Sequence, residues 1–276
     1  MSGVKETENA FPPLETVCKK QFAFPVACPS FVYRAGYMEN VRRLAPFVDE
    51  IQLLFFESRS ADSRPSRSLI QELVRLGREG DITYNVHLPS DIHPGHRDID
   101  ERRRAAAVLT DLMARCDPLN PTTFTLHLNR DASEVNDARW LEDTVGTLKA
   151  VLSGGASGRR ISVENTDYDF DLAAPVVEEL DLSVCMDMGH LMARGKALAP
   201  FFDRWQDRIT IVHLHGVAGT ADHLPLDRLA PAHMSAVLTL LNRFGGVVSL
   251  EVYSVDALNA SIAHLMREGD GLKAKD

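Results

Sequence analysis

The chain has 276 residues, 45% hydrophobic and 25% charged, with a formal net charge of −9. That balance suits one large globular core and excludes the basic surface of a duplex-binding protein. No apolar run reaches the roughly 18 residues of a membrane span, and the cysteines (Cys18, Cys28, Cys116, Cys185) stand far apart with no Cys-x-x-Cys pair, so a disulfide scaffold and a zinc ribbon are excluded too.

In chain order, the opening MSGVKETENAFPPLE is polar and contains proline. It has no apolar stretch of signal-peptide type. Residues 1–20 are expected to be a flexible extension, residues 21–276 a single catalytic domain, and the protein cytoplasmic. Short apolar runs then alternate with longer amphipathic ones. Strands are predicted at 21–28, 49–56, 82–87, 122–128, 160–165, 182–187, 208–215 and 246–253. Helices are predicted near 36–47, 66–79, 98–116, 136–152, 172–180, 196–205, 231–243 and 255–267. In SRSLIQELVRLGREG, for example, Leu69, Ile70, Leu73, Val74 and Leu76 form a stripe of 3.6-residue period closed by a glycine. Eight strands alternating with eight helices specify an α/β fold, a single (β/α)8 barrel. An open doubly wound sheet is the alternative, but no Gly-x-Gly-x-x-Gly or Walker loop follows any strand.

The C-terminal ends of these runs carry the chemistry. Glu57 follows strand 2, His87 ends strand 3, His127 strand 4 and Glu164 strand 5. Asp187 and His190 close strand 6 in the stretch DMGH, His213 and His215 lie on strand 7, Asp222 and His223 in the loop beyond, and Glu251 on strand 8. In a barrel all these ends meet on one rim, where active sites sit. One histidine at a strand end is usually structural. Several carboxylates and imidazoles around one mouth, however, leave buried charge that needs cations. Mixed imidazole and carboxylate donors suit zinc, manganese or iron better than magnesium or calcium, so at least a dinuclear divalent site is expected.

The ordered motifs VHLP (86–89), LHL (126–128), VEN (163–165), DMGH (187–190), VHLHG (212–216), DH (222–223) and LEV (250–252) resemble the xylose-isomerase-like barrel superfamily, which includes apurinic-site endonucleases and sugar isomerases and epimerases. The resemblance implies a first ion on His87, His127 and Glu164, and a second shared by Glu164 with Asp187, His213 and Glu251. A third ion would take His190 and an Asp-x-His pair. Here Asp222 and His223 are adjacent, and neighbouring strand residues do not point the same way. Either His215 substitutes or only two ions bind.

The stretches CPSFVYRAGYMENVRRLAPFVDEIQLLFFES (28–58), TYNVHLPSD and DLSVCMDMGHLMARGK are most similar to cobamide-remodelling phosphodiesterases, which hydrolyse the nucleotide-loop phosphodiester of vitamin B12-type corrinoids. The resemblance implies a hydrolase with two or three divalent ions, zinc first, and a cobamide such as adenosylcobalamin as substrate, without nucleic acid or membrane partners. Glu164, Asp187 and Glu57 are the candidate catalytic residues, Glu57 being either an acid or base or only a polar anchor. Tyr33, Arg59, Arg194, Lys196 and His215 are the candidates for holding substrate, while Asn165 reads first as a turn former. The competing reading is a sugar or polyol isomerase or epimerase with Glu164 and Glu251 as its acid–base pair.

Overall fold

A computed structural model describes residues 11–60, 63–130 and 136–274. Eight parallel strands close into a barrel in the order β1-β10-β7-β6-β5-β4-β3-β2. They are β1 (Val26–Pro29), β2 (Glu50–Leu54), β3 (Thr83–His87), β4 (Phe124–Leu126), β5 (Ile161–Glu164), β6 (Ser183–Asp187), β7 (Ile209–Leu214) and β10 (Val247–Leu250), with a short antiparallel hairpin, β8 (Gly216–Ala218) and β9 (Ala221–Leu224), inserted after β7. Around them run α1 (Tyr37–Leu44), α2 (Arg67–Gly80), α3 (Ile99–Cys116), α4 (Asp137–Leu152), α5 (Ala174–Glu179), α6 (Met188–Ala193), α7 (Leu198–Trp205), α8 (Pro231–Leu241) and α9 (Val255–Glu268). Side-chain caps mark several helix starts, as Ser66, Asp98, Asn136 and Ser254 accept backbone N–H groups two or three residues on.

The strand period of two sorts the side chains. Outward residues such as Ile51, Leu53, Val184, Met186, Val212, Leu214, Val248 and Leu250 join the main apolar core against the helices. The inward phase is mostly polar: Glu50, Gln52, Asn85, Thr125, Ser162, Ser183 and Ser249 are all buried. A small apolar plug of Ala27, Cys185, Ile211 and Val247 crosses the lumen. Because His87, Glu164, Asp187, His213 and Glu251 share that inward phase, the alternation that makes the core also delivers them together at the upper end.

Three sequence expectations change. Strand 1 starts at Val26, because Phe22 and Phe24 stack on each other (ring centroids 5.4 Å) near the C-terminal segment, where Phe22 bridges Lys273. Strand 6 closes at Asp187, and His190 lies in α6, which the DMGH stretch opens. Residues 11–20 are not a flexible extension: Leu14 and Cys18 are buried, Cys18 N–H donates to the Phe47 carbonyl (3.0 Å), and Phe11 lies edge-on to Tyr33 (5.9 Å) under the Arg43 guanidinium. The backbone of this polar-looking segment is tied to Phe47 after α1 and, through Glu15 N–H, to the Asn259 side chain of α9. Residues 1–10 lie outside the described residues. All four cysteines are buried and unpaired, and no helix among the described residues is long and apolar enough to cross a membrane. Replacing Leu14 with alanine is expected to destabilise the protein by about 2–5 kcal/mol in urea unfolding, as for other buried leucines; a change below about 0.5 kcal/mol would show that the segment does not pack.

Candidate metal centre

Glu164 occupies the middle of the upper lumen and is 1% exposed. On one side its Oε2 meets His127 Nε2 at 2.9 Å and His87 Nε2 at 3.4 Å. His87 Nδ1 lies 2.9 Å from the Leu88 carbonyl, so that nitrogen carries a proton and Nε2 is the one turned to the site. On the other side Glu164 Oε1 lies 3.2 Å from His213 Nδ1, which is also 3.3 Å from Glu251 Oε2 and 4.0 Å from Asp187 Oδ2. Two groups of donors thus adjoin, His87/His127/Glu164 and Glu164/Asp187/His213/Glu251, with the ligand atoms of each within 4.8 Å of one another.

A third group, Asp187, His190, His215 and His223, meets the same limit. The β8–β9 hairpin builds it by folding His223 back over His215, so that their rings stack at 4.2 Å and 13°. His223 has φ +50°, a left-handed conformation. The two neighbouring side chains meet different partners: Asp222 Oδ2 lies 3.7 Å from His190 Nε2 while His223 Nε2 lies 3.4 Å from Glu251. Asp222 stands beside the third group, against His190 and His223, and His215 fills the place expected of a substitute.

DMGH holds this end of the site together. Asp187 is the N-cap of α6, its Oδ1 accepting the His190 N–H at 2.6 Å. Its Oδ2 is buried with no hydrogen-bond partner, as is His215 Nε2. A buried polar atom without a hydrogen bond costs on the order of 1–3 kcal/mol, and these two have only ion-pair contacts, His215 Nε2 with Asp187 Oδ1 at 3.3 Å and Asp187 Oδ2 with His190 Nδ1 at 3.5 Å. Gly189 is required by close approach, since a Cβ there would overlap the His215 ring. Asn165, beyond β5, ties the strand end in place, donating to the Asp187 carbonyl and accepting its N–H, both at 2.9 Å.

Charge is balanced internally. Burial opposes ionisation of Glu164, but His213 and His127 hold its carboxyl well below the usual range. Glu251 is held low in the same way, against burial, by His213 and His223. Conversely, burial disfavours the imidazolium of His213, yet Cys185, Glu251 and Glu164 raise its pKa well above the ordinary value. His223 is raised, against burial, to about 9, chiefly by Glu251. Carboxylates and protonated imidazoles neutralise each other where cations could replace the protons. The donor set and its orphaned atoms therefore fit divalent metal.

Of the other predicted site residues, Glu57 and Arg59 are exposed in the loop after β2; strand 2 ends at Leu54, three residues short of Glu57. Tyr33 is buried with its hydroxyl donating to the Pro12 carbonyl (2.9 Å), which ties it to the N-terminal segment. Arg194 donates to the Thr166 and Tyr168 carbonyls, and Lys196 lies 3.9 Å from Asp169. Both line a recess of about 270 Å³ beside α6 that reaches Asn165. The sequence reading missed Gln52. Its amide nitrogen lies 3.1 Å from His213 Nε2 and donates to Glu251 Oε1 (3.2 Å), and its oxygen accepts from Ser249 (2.7 Å). The available signal was a polar pair, Glu50 and Gln52, spaced i, i+2 in an otherwise apolar strand.

With this geometry in view, the comparisons are informative. The family model described as xylose isomerase-like TIM barrel matches residues 38–269, and the chain belongs to that family. No curated protein matches significantly. Among solved structures it is similar to a D-tagatose 3-epimerase-like protein (17% identity, TM-score 0.74, 89% of this chain and 97% of that one). It is also similar to the IOLI protein with a binding zinc atom (14%, 0.72, 91% and 100%) and to endonuclease IV from Thermus thermophilus (20%, 0.67, 88% and 99%). At these identities the likeness shows the fold.

Gly189→Ala is expected to push His215 out of the third group and lower the bound metal by one equivalent in elemental analysis of zinc-reconstituted protein, with the circular dichroism spectrum unchanged. Full metal content in this variant would show that His215 holds no ion.

Proposed function

We propose that the protein is a divalent-metal-dependent phosphodiesterase, and that its substrate is the nucleotide-loop phosphodiester of a cobamide. The observation that carries the hydrolase reading is the run of adjoining donor groups linked through Glu164 and Asp187. An isomerisation centre needs one such group. Additional imidazoles on both sides suit a reaction in which charge develops on several phosphate oxygens at once.

His87, His127 and Glu164 would hold one ion; Glu164, Asp187, His213 and Glu251 a second; and Asp187, His190, His215 and His223 a third. When bound, such ions supply Lewis-acid charge and ionise water near neutral pH. The chain's own part is positional. Gln52 orients His213 and Glu251, the Leu88 carbonyl orients His87, and Asn165 fixes the strand end that carries Asp187. Asp222, beside His190 and His223, stands where it could take a proton at the rim; its carboxyl is held low by His223, against burial. The recess lined by Arg194, Lys196 and Asn165 offers a place for a phosphate substituent. Glu57 and Arg59, exposed in the loop after β2, and Tyr33, tied to the Pro12 carbonyl, are assigned no step in this reading. Residues 21–274 act as one catalytic domain, and a net charge of −9 speaks against duplex nucleic acid as the partner.

A second reading is sugar epimerisation, with Glu164 and Glu251 exchanging a proton across one sugar carbon around a single ion. The Glu164/Asp187/His213/Glu251 group suffices for it. The names of the similar structures favour it over the cobamide reading, for which none of those reported speaks. What the epimerase reading leaves without a task are His87, His127, His190, His215 and His223.

Incubating metal-reconstituted protein with adenosylcobalamin and separating products by mass is expected to give a phosphorylated cobinamide and a free riboside. That activity should fall about a hundredfold or more in Glu164→Ala and Asp187→Ala. Intact cofactor with zinc, manganese and iron, together with turnover of a free ketose, would replace the hydrolase by the epimerase.

A further inference from the structure

The rim above β10, β1 and β2, three neighbouring strands of the closed barrel, carries a connected run of aromatic rings. Tyr253 follows β10, Phe31 follows β1 and Phe56 follows β2. Phe56 lies 6.3 Å from Tyr253 and 5.4 Å from Phe31, and Phe31 rests edge-on against Tyr37 at 5.4 Å. Tyr37 is itself buried, its hydroxyl donating to the Leu54 carbonyl at 2.7 Å, so the run has a fixed backing. Its outer members do not: Phe56 is 40% and Tyr253 41% exposed.

Single exposed hydrophobic side chains need no explanation. These two differ because they touch each other and adjoin the metal centre. Tyr253 stacks on the His223 ring at 5.4 Å and 29°, and His223 belongs to the third donor group. One exposed aromatic face thus lies a single ring away from a metal ligand, at the mouth through which a substrate must enter. The strands across the barrel, β4, β5 and β6, present His127, Glu164 and Asp187 instead. The mouth is therefore polar on one side and aromatic on the other.

We infer that Phe56 and Tyr253, backed by Phe31, form a stacking platform for a planar heterocyclic base carried on the phosphodiester that the metal centre holds. The inference rests on the hydrolase reading above and names the substrate class: a phosphodiester with a base attached through its sugar. Exposed aromatic faces bind bases by offset stacking without reading their edges, so the platform accepts more than one base and selects for having one at all.

Two probes separate the base from the phosphate. Zinc-loaded protein is titrated calorimetrically with adenosine 5′-monophosphate and with ribose 5-phosphate. The nucleotide is expected to bind at least tenfold more tightly, about 1.4 kcal/mol. That ratio is expected to fall towards one in both Phe56→Ala and Tyr253→Leu, while Tyr253→Phe, which keeps a ring, retains it. Equal binding of the two probes by the wild-type protein would overturn the platform and leave the phosphate-binding reading intact. Binding of neither probe would overturn the reading on which the platform rests, and the platform with it. A preference that survives both ring removals would place the base elsewhere.

Discussion

Everything at the upper end of this barrel follows from one constraint, the neutralisation of Glu164. A carboxylate sealed from water at the centre of a protein is tolerated only beside positive charge or hydrogen-bond donors. Among the described residues Glu164 has no arginine or lysine as an ion-pair partner; it has His87, His127, His190 and His213, all within 3.8 Å. Those imidazoles must either carry protons or share cations with it. Glu251 repeats the arrangement through His213 and His223, and Asp187 extends it to His215.

The barrel makes such a concentration of charge possible because its strands alternate. The outward phase builds the apolar core, which holds the fold whatever happens inside; the inward phase is free to be polar. The lumen below the metal centre follows the same logic. Glu50 is buried but accepts hydrogen bonds from Thr83, Asn85 and Thr122, and burial still raises its carboxyl above the usual range. Between the two polar layers sits the plug of Ala27, Cys185, Ile211 and Val247. Two additions complete the site: a hairpin that returns His223 over His215, and a short helix whose cap is itself a candidate ligand.

The fold was legible because each strand and helix carries its own period, and helix ends from α2 to α9 fall within two residues of the sequence expectation, save for α6, which was not foreseen. The ligand set was legible because carboxylates and histidines at strand ends share one lumen phase. What escaped the reading depends on the third dimension. The helix begun by Asp187 is only six residues long, too short to show periodicity. The left-handed turn at His223 cannot be read from a dipeptide, so the sequence did not reveal that His223 joins the third group while Asp222 stands beside it. Gln52 gave one amide in an apolar run and no motif. Glu57 lies beyond its strand, since β2 ends three residues earlier, a boundary that the apolar stretch before it does not reveal. Leu14 and Cys18 were lost in a segment whose composition reads as solvated.

Hydrolase and epimerase readings share Glu164, Asp187, His213 and Glu251 and part over the surrounding histidines. The number of ions is therefore the central claim. Anomalous diffraction at the zinc edge from crystals of the reconstituted protein counts them directly. The account predicts separate peaks beside His87 and His127, between Glu164 and Glu251, and against His190, His215 and His223. A single peak between Glu164 and Glu251, with the remaining histidines bare, would contradict it.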